Sequence, residues 1–192
     1  MVRAIIFDYF GVIQPDVLLA TYRFFGGDPE RDQAFIHDTI NAVNHGYITS
    51  SRPVIAKRLG ITTEQWVGEL DKRRGHDPDL LAYILELRKH YKTGLLSNIG
   101  PGGLQVMWPA GELEKYFDVF IASGDVGYTK PQPEIYKLMA QKLGVEPNQC
   151  VMIDDLEKHC DGARQASMQA IQYAHFGQCK TALQKLLTDS KQ

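Results

Sequence analysis

The sequence predicts an α/β protein, a central parallel sheet with a group of helices inserted after its first strand. Three observations carry this. Short unbroken apolar runs recur at residues 4–7, 119–122 and 150–153, the pattern of strands buried on both faces. Segments with helical apolar spacing alternate with them, which implies parallel strands joined by right-handed crossovers. Between residues 16 and 75 no strand pattern occurs, only helical ones.

The first strand, residues 4–7, runs into Asp8, and Gly11 follows where a strand gives way to a loop. Gln14-Pro15-Asp16 marks a turn. Residues 16–25 carry Val17, Leu18, Tyr22 and Phe25 at helical spacing and stop at Gly26-Gly27; residues 30–43 carry Phe35, Ile36, Ile40 and Val43 and break at Asn44-His45-Gly46. Residues 50–59 form a shorter helix closed by Gly60, and Thr62 with Gln65 forms a capping box opening a fourth through Trp66 and Leu70 to Arg74. Tyr22, Phe24, Phe25 and Trp66 are expected to pack a small core of their own. Asp77-Pro78 then supplies an N-cap and a first-turn proline for a helix bearing Leu80, Leu81, Ile84, Leu85 and Leu87.

The second strand spans 93–98 and is followed by Gly100-Pro101-Gly102-Gly103 and a short helix broken at Pro109. A third strand is expected at 118–122, a helix at 131–143 closed by Gly144, and a fourth strand at 150–153 ending in Asp154-Asp155. A helix over 156–167, a fifth strand at 170–174 and a terminal helix at 180–187 complete the chain. Residues 1–15 and 76–192 thus read as the α/β core, and 16–75 as the helical insertion.

Bulk properties exclude several classes. A hydrophobic content of 44% with 23% charged residues is that of an ordinary soluble domain. A formal charge of −2 gathers neither nucleic acid nor an anionic membrane, and no apolar run nears the roughly 18 residues of a membrane span. The three cysteines, Cys150, Cys160 and Cys179, form no C-x-x-C pair and read as reduced thiols. Met1 leads directly into the first strand, leaving no room for a signal peptide. The expectation is a soluble cytoplasmic protein, monomer or homodimer.

The polar groups at strand ends carry the chemistry. Read alone, Asp8 is equally a turn-capping aspartate or a site carboxylate. In a parallel sheet, however, Asp8, Ser97-Asn98, Lys130 and Asp154-Asp155 all fall toward one rim. Three carboxylates together are costly unless a cation or protons neutralise them, and Mg²⁺ with oxygen ligands is the natural solution. Lys130 offers a point charge for an anion and Ser97 a hydroxyl donor. The Asp154-Asp155 pair is also placed to cap the helix after it.

Residues 7–13 (FDYFGVI), 95–98 (LLSN), 129–136 (TKPQPEIY) and 152–155 (MIDD) resemble, in order and spacing, the four motifs of the haloacid dehalogenase (HAD) superfamily. The resemblance covers essentially the whole chain, with residues 16–75 in the place of the family's cap. It is nearest to the branch related to the N-terminal phosphatase domain of soluble epoxide hydrolase. It implies a HAD-type Rossmannoid core and a Mg²⁺-dependent phosphatase acting on a small phosphorylated metabolite. Asp8 would be the nucleophile and a metal ligand, and Lys130 would tie the nucleophile to the phosphate. Ser97 and the Asn98 backbone would bind the phosphoryl group. Asp154 and Asp155 would complete the metal site, with the Phe10 carbonyl as a further ligand.

One position departs from the pattern. Where most family phosphatases carry a second aspartate, the general acid and base, this chain has Phe10. Slow or leaving-group-dependent turnover is therefore expected, since loss of such a group costs about 10² to 10⁴ in rate. A non-catalytic metal- and anion-binding protein is one alternative. A 2-haloacid dehalogenase is another, opposed by the paired acids, since those enzymes use no metal. The remaining candidates read as structural. His159 is expected at the surface, Lys72-Arg73-Arg74 as a solvated helix end, and His37, His45, His76, His90 and His175 lack metal-ligand spacing.

Overall fold

All four residues of β1 (Ala4–Phe7) are buried in a computed structural model, which describes residues 1–189. Successive strand residues face opposite ways, so Ile5 and Phe7 join one apolar layer, Ala4 and Ile6 the other. The chain then forms α1 (Leu18–Phe24), α2 (Gln33–Asn44), α3 (Arg52–Leu59), α4 (Thr63–Arg73) and α5 (Pro78–Arg88) before β2 (Lys92–Ser97). Short helices α6 (Gly103–Met107) and α7 (Glu112–Tyr116) lead to β3 (Val119–Ala122), the single turn α8 (Ser123–Val126) and α9 (Pro133–Leu143). A 3₁₀ turn at Pro147–Gln149 precedes β4 (Cys150–Asp154), α10 (Glu157–Gln165), β5 (Gln169–Gln172) and α11 (Phe176–Asp189).

The five strands form one parallel sheet in the order β3-β2-β1-β4-β5, as the alternating pattern predicts. Phe7 lies level with Leu95 on one side and Ile153 on the other, so the residues that follow emerge at one edge. The chain steps from β1 outward to β2 and β3, then returns across the sheet to β4. The resulting switch point lies between β1 and β4, where open α/β sheets form a crevice at the carboxyl ends of their strands.

Leu80 and Ile84 of α5 and Leu183 of α11 cover one face of the sheet; Ile135 and Met139 of α9 and Ala163 of α10 cover the other. Helices α1–α4 pack a third cluster around Tyr22, Ile36, Ile55, Trp66 and Leu70. Among the described residues no helix is long and apolar enough to cross a membrane, and all three cysteines are free and buried.

Local signals act as expected where they are short-range. Thr62 and Gln65 form the reciprocal capping box, and the Asp77 carboxylate accepts from the amides of Asp79 and Leu80. Three expectations change. The last helix begins at Phe176, not at residue 180, because Phe176, Cys179 and Leu183 share one buried face and Phe176 packs on Tyr83 at 5.7 Å. The helix expected from residue 131 begins at Pro133, preceded by a cis Lys130–Pro131 peptide. Phe24 does not join the small core: it is 56% exposed, with the Arg73 guanidinium 5.2 Å from its ring.

The third cluster is pinned by one charged group. The buried Asp32 carboxylate accepts from Arg58 at 2.6 Å and from the Tyr22 hydroxyl at 2.7 Å. These hydrogen bonds, Arg58's foremost, hold Asp32 well below the usual carboxylate range. A lowered folded value means its contribution to stability is complete above the unfolded pKa of about 4 and is lost as pH falls through the folded value. Asp32→Asn should therefore lower stability by a constant amount between about pH 5 and pH 7, and the difference from wild type should shrink below about pH 4. Urea unfolding at a series of pH values measures it; a difference that grows on acidification would contradict the assignment.

Candidate active site

Asp8 emerges from β1 with its amide still in the ladder, donating to the Ile153 carbonyl at 2.9 Å. Its carboxylate accepts from the Tyr9 amide at 2.6 Å and from the Lys130 ammonium at 2.7 Å. Asp154 closes β4 and is fully buried. One of its oxygens takes Lys130 at 2.5 Å; the other takes the Leu156 amide and lies 3.0 Å from His159 Nδ1. The buried Lys130 ammonium therefore bridges the carboxylates of the two strands that flank the switch point.

Lys130 is held from its backbone. Asn98, just past β2, accepts from the Lys130 amide at 2.8 Å and donates to the Lys130 carbonyl at 2.9 Å. Gly162 of α10 lies so close to Pro131 that a Cβ there would overlap the Pro131 carbonyl oxygen. Asp155 is brought in by a second close approach. Gly11, at φ +83°, is packed against the Asp155 carboxylate where a Cβ would collide with it.

Burial pushes Asp8 up to about 7, with the Asp154 charge adding and Lys130 opposing. For Asp154 burial also works upward, but Lys130 and His159 prevail and hold it at about 2. Lys130 is raised, because the two carboxylates overcome a burial effect of the opposite sign. Burial and the Asp154 charge raise Asp155. One ammonium faces three carboxyl groups here, a balance that favours a further cation.

A cavity of about 500 Å³ opens above this group, lined by Asp8, Phe10, Ser97, Lys130, Asp155 and His159. Ser97 ends β2, is fully buried, and its Oγ has no partner among the described residues. A buried hydroxyl left unpaired is costly unless a ligand accepts its proton. Phe10 packs edge-on against Tyr9 at 4.8 Å and presents no titratable group. A second concavity of about 680 Å³ lies by Arg3, Lys92 and Asp118 at the other end of the strands, away from these groups.

The sequence-predicted residues Asp8, Lys130, Ser97 and Asp155 meet in this cavity. Asn98 lines it as well, and its side chain serves as the clamp on Lys130. Asp154 lies behind the wall, its oxygens occupied by protein donors. Two expectations are corrected. His159 is 6% exposed, because the first turn of α10 directs it back onto Asp154. Lys72 and Arg73 pair with Glu69 at the surface, but Arg74 lines the cavity with its Nε buried. A histidine one turn into the helix after a strand-end carboxylate was the available signal for His159. Arg74 carried none.

The arrangement suits nucleophilic attack by a buried carboxylate on an anion held by Lys130 and Ser97. Residues 2–167 match the family model described as haloacid dehalogenase-like hydrolase. Over 182 residues the chain is 29% identical to D-ribitol-5-phosphate phosphatase of Bacteroides thetaiotaomicron, covering 81% of this chain and 84% of that one. Over 60 residues it is 45% identical to bifunctional epoxide hydrolase 2 of Sus scrofa, covering 31% of this chain and 11% of that one. Matches above 40% identity are confined to such stretches, and they span 31% or less of those relatives. A crystal structure of a HAD family enzyme from Bacteroides thetaiotaomicron, in complex with magnesium and inorganic phosphate, shares the fold. Its TM-score is 0.74 at 21% identity, over 91% of this chain and 95% of that one. With the family model spanning most of its length and the strand-end groups gathered at the switch point, the chain belongs to the haloacid dehalogenase-like hydrolases.

Proposed function

We propose that this hydrolase is a magnesium-dependent phosphatase of small phosphate esters, working through an aspartyl-phosphate on Asp8 beneath a cap formed by residues 16–75. The observation that carries the reading is Lys130 buried between Asp8 and Asp154 beside the unpartnered Ser97 hydroxyl. Relatives named as phosphatases, and a fold neighbour crystallised with magnesium and phosphate, support it.

The residues fit a hard divalent ion. Ligand atoms of Asp8, Asp154 and His159 lie within 4.8 Å of one another, and Asp155 shares the cavity with Asp8 and Phe10. Asp8, Asp155 and the Phe10 carbonyl would supply the oxygen donors that magnesium prefers. Asp154, a ligand in the sequence reading, has its oxygens taken by Lys130, the Leu156 amide and His159 and would hold Lys130 in place instead. When bound, the ion would offset the charge of the carboxylates and phosphate. A carboxylate oxygen of Asp8 attacks phosphorus, and the bond to the ester oxygen breaks. Lys130 and Ser97 hold the phosphoryl oxygens as charge moves onto the departing oxygen. Water then cleaves the acyl-phosphate and returns Asp8 as a carboxylate. Phe10 can give no proton to the leaving oxygen and take none from that water. Both transfers fall to solvent, so esters with basic leaving groups should react slowly. Phe10 also favours a second reading, a metal- and anion-binding protein that does not turn over.

p-Nitrophenyl phosphate separates the two. Wild type should hydrolyse it only with Mg²⁺ present, and Asp8→Asn should lose activity by about 10³ or more. If wild type is as inert as Asp8→Asn, the binding reading replaces the enzymatic one; halide release from 2-haloacids without metal would make it a dehalogenase. Phe10→Asp should raise kcat on alkyl phosphates by about 10², and by much less on p-nitrophenyl phosphate, whose leaving group needs no proton. No gain on either would refute the role assigned to position 10, and equal gains on both would refute its part in protonating the leaving oxygen and leave only the activation of water.

A further inference from the structure

Four buried polar side-chain atoms have no hydrogen-bond partner among the described residues: Gln14 Nε2, Arg74 Nε, Ser97 Oγ and Trp108 Nε1. All but the last belong to residues lining the cavity above Asp8. Native proteins pair nearly all buried polar atoms, so three such atoms around one space point to an acceptor-rich ligand. The phosphatase reading uses Ser97 alone.

Gln14 is 2% exposed. Its Oε1 accepts from the Tyr9 hydroxyl at 2.9 Å, and the Tyr9 oxygen lies 3.1 Å from His76 Nε2. His76, whose charged form burial disfavours, stacks on Trp108 at 4.0 Å. With the His76 Nε2–H donating to Tyr9, this chain fixes the Gln14 carbonyl end and leaves its NH₂ group over.

Arg74 follows α4 with extended backbone, φ −82° and ψ 148°, which carries it off the helix line. Asp71 holds its Nη1 at 2.8 Å, the side chain is 17% exposed, and Nε remains unpaired. Arg52, in the first turn of α3, lines the same cavity and forms no ion pair among the described residues. The charges acting on Arg52 are Arg74, which repels it, and Asp71, which attracts it. Of the two guanidiniums only Arg74 has a carboxylate partner among the described residues, Asp71, while Asp16 lines the cavity with an oxygen engaged by the Leu18 amide.

We propose that Arg74, Arg52 and Gln14 form a second oxyanion subsite, so that the preferred substrates are phosphate esters bearing another anionic group, carboxylate or phosphoryl, remote from the scissile one. The inference rests on the phosphatase reading for the Asp8 end. A guanidinium with a free Nε edge suits either oxyanion, since both accept two parallel N–H bonds. Gln14 adds a neutral donor to the same group.

Three esters on one propyl chain test it: 3-hydroxypropyl phosphate, 3-(phosphonooxy)propanoate and propane-1,3-diol bisphosphate. With Mg²⁺, wild-type kcat/KM should be at least tenfold higher for an anionic tail than for the hydroxyl tail, and the larger gain identifies the oxyanion. Arg74→Gln and Arg52→Gln should each cut that preference by about tenfold, the scale of a charged hydrogen bond. Arg52 has no ion pair to lose among the described residues, so its variant decides the matter if Arg74→Gln, which also releases Asp71, does not fold. Equal kcat/KM for the three esters, or a preference that survives substitution, overturns the subsite. If wild type turns over none of them and is inert on p-nitrophenyl phosphate as well, the phosphatase reading fails instead. Dissociation constants of the same compounds on wild type, by calorimetry, then decide the subsite by the same tenfold criterion.

Discussion

Lys130 stands with its ammonium buried between Asp8 and Asp154, and most of the neighbouring structure serves to keep it there. Taking three charged groups out of water is expensive, and their mutual attraction offsets the cost only in close, well-saturated geometry. That saturation is visible: Asp154 spends its other oxygen on the Leu156 amide and His159, and Asp8 takes the Tyr9 amide. Asn98 clamps the Lys130 backbone from both sides. Removing any one partner would leave a buried charge uncompensated, so the group behaves as a unit.

The same unit sets the chemistry available to the cavity. Asp154 is committed to protein partners, whereas Asp8, Asp155 and the Ser97 hydroxyl face open space. The site is therefore short of positive charge at the sheet edge and short of hydrogen-bond acceptors elsewhere. An anion accompanied by a divalent cation satisfies both conditions. Phe10 works differently: its ring packs edge-on against Tyr9, so this part of the cavity wall is apolar and offers no side-chain proton donor or acceptor.

The cavity also joins two parts of the chain that fold around different cores. Its floor comes from the carboxyl ends of the strands, whose positions follow from sheet register. Arg52 and Arg74 come from helices whose apolar cluster forms around Tyr22 and Trp66. A ligand reaching both ends would touch helices and strand ends together.

Much of this was readable from the chain alone. The apolar run before Asp8, the alternation of strands and helices, the capping box at Thr62 and the N-cap at Asp77 are local patterns, and local patterns survive in the order of residues. The gathering of Asp8 and Asp154 was legible for a related reason, because a parallel sheet sends all its strand ends the same way, and Lys130, eight residues past β3, was legible through its motif. The burial of His159, the turn of Arg74 into the cavity, the unpaired end of Gln14 and the exposure of Phe24 were not. Each depends on which way one side chain leaves the end of an element and on what packs there, and neighbours distant in sequence decide that. The order of residues by itself determined which strands form and which polar groups share an edge. Only tertiary packing decided which of those groups are saturated by one another and which remain free to meet a ligand.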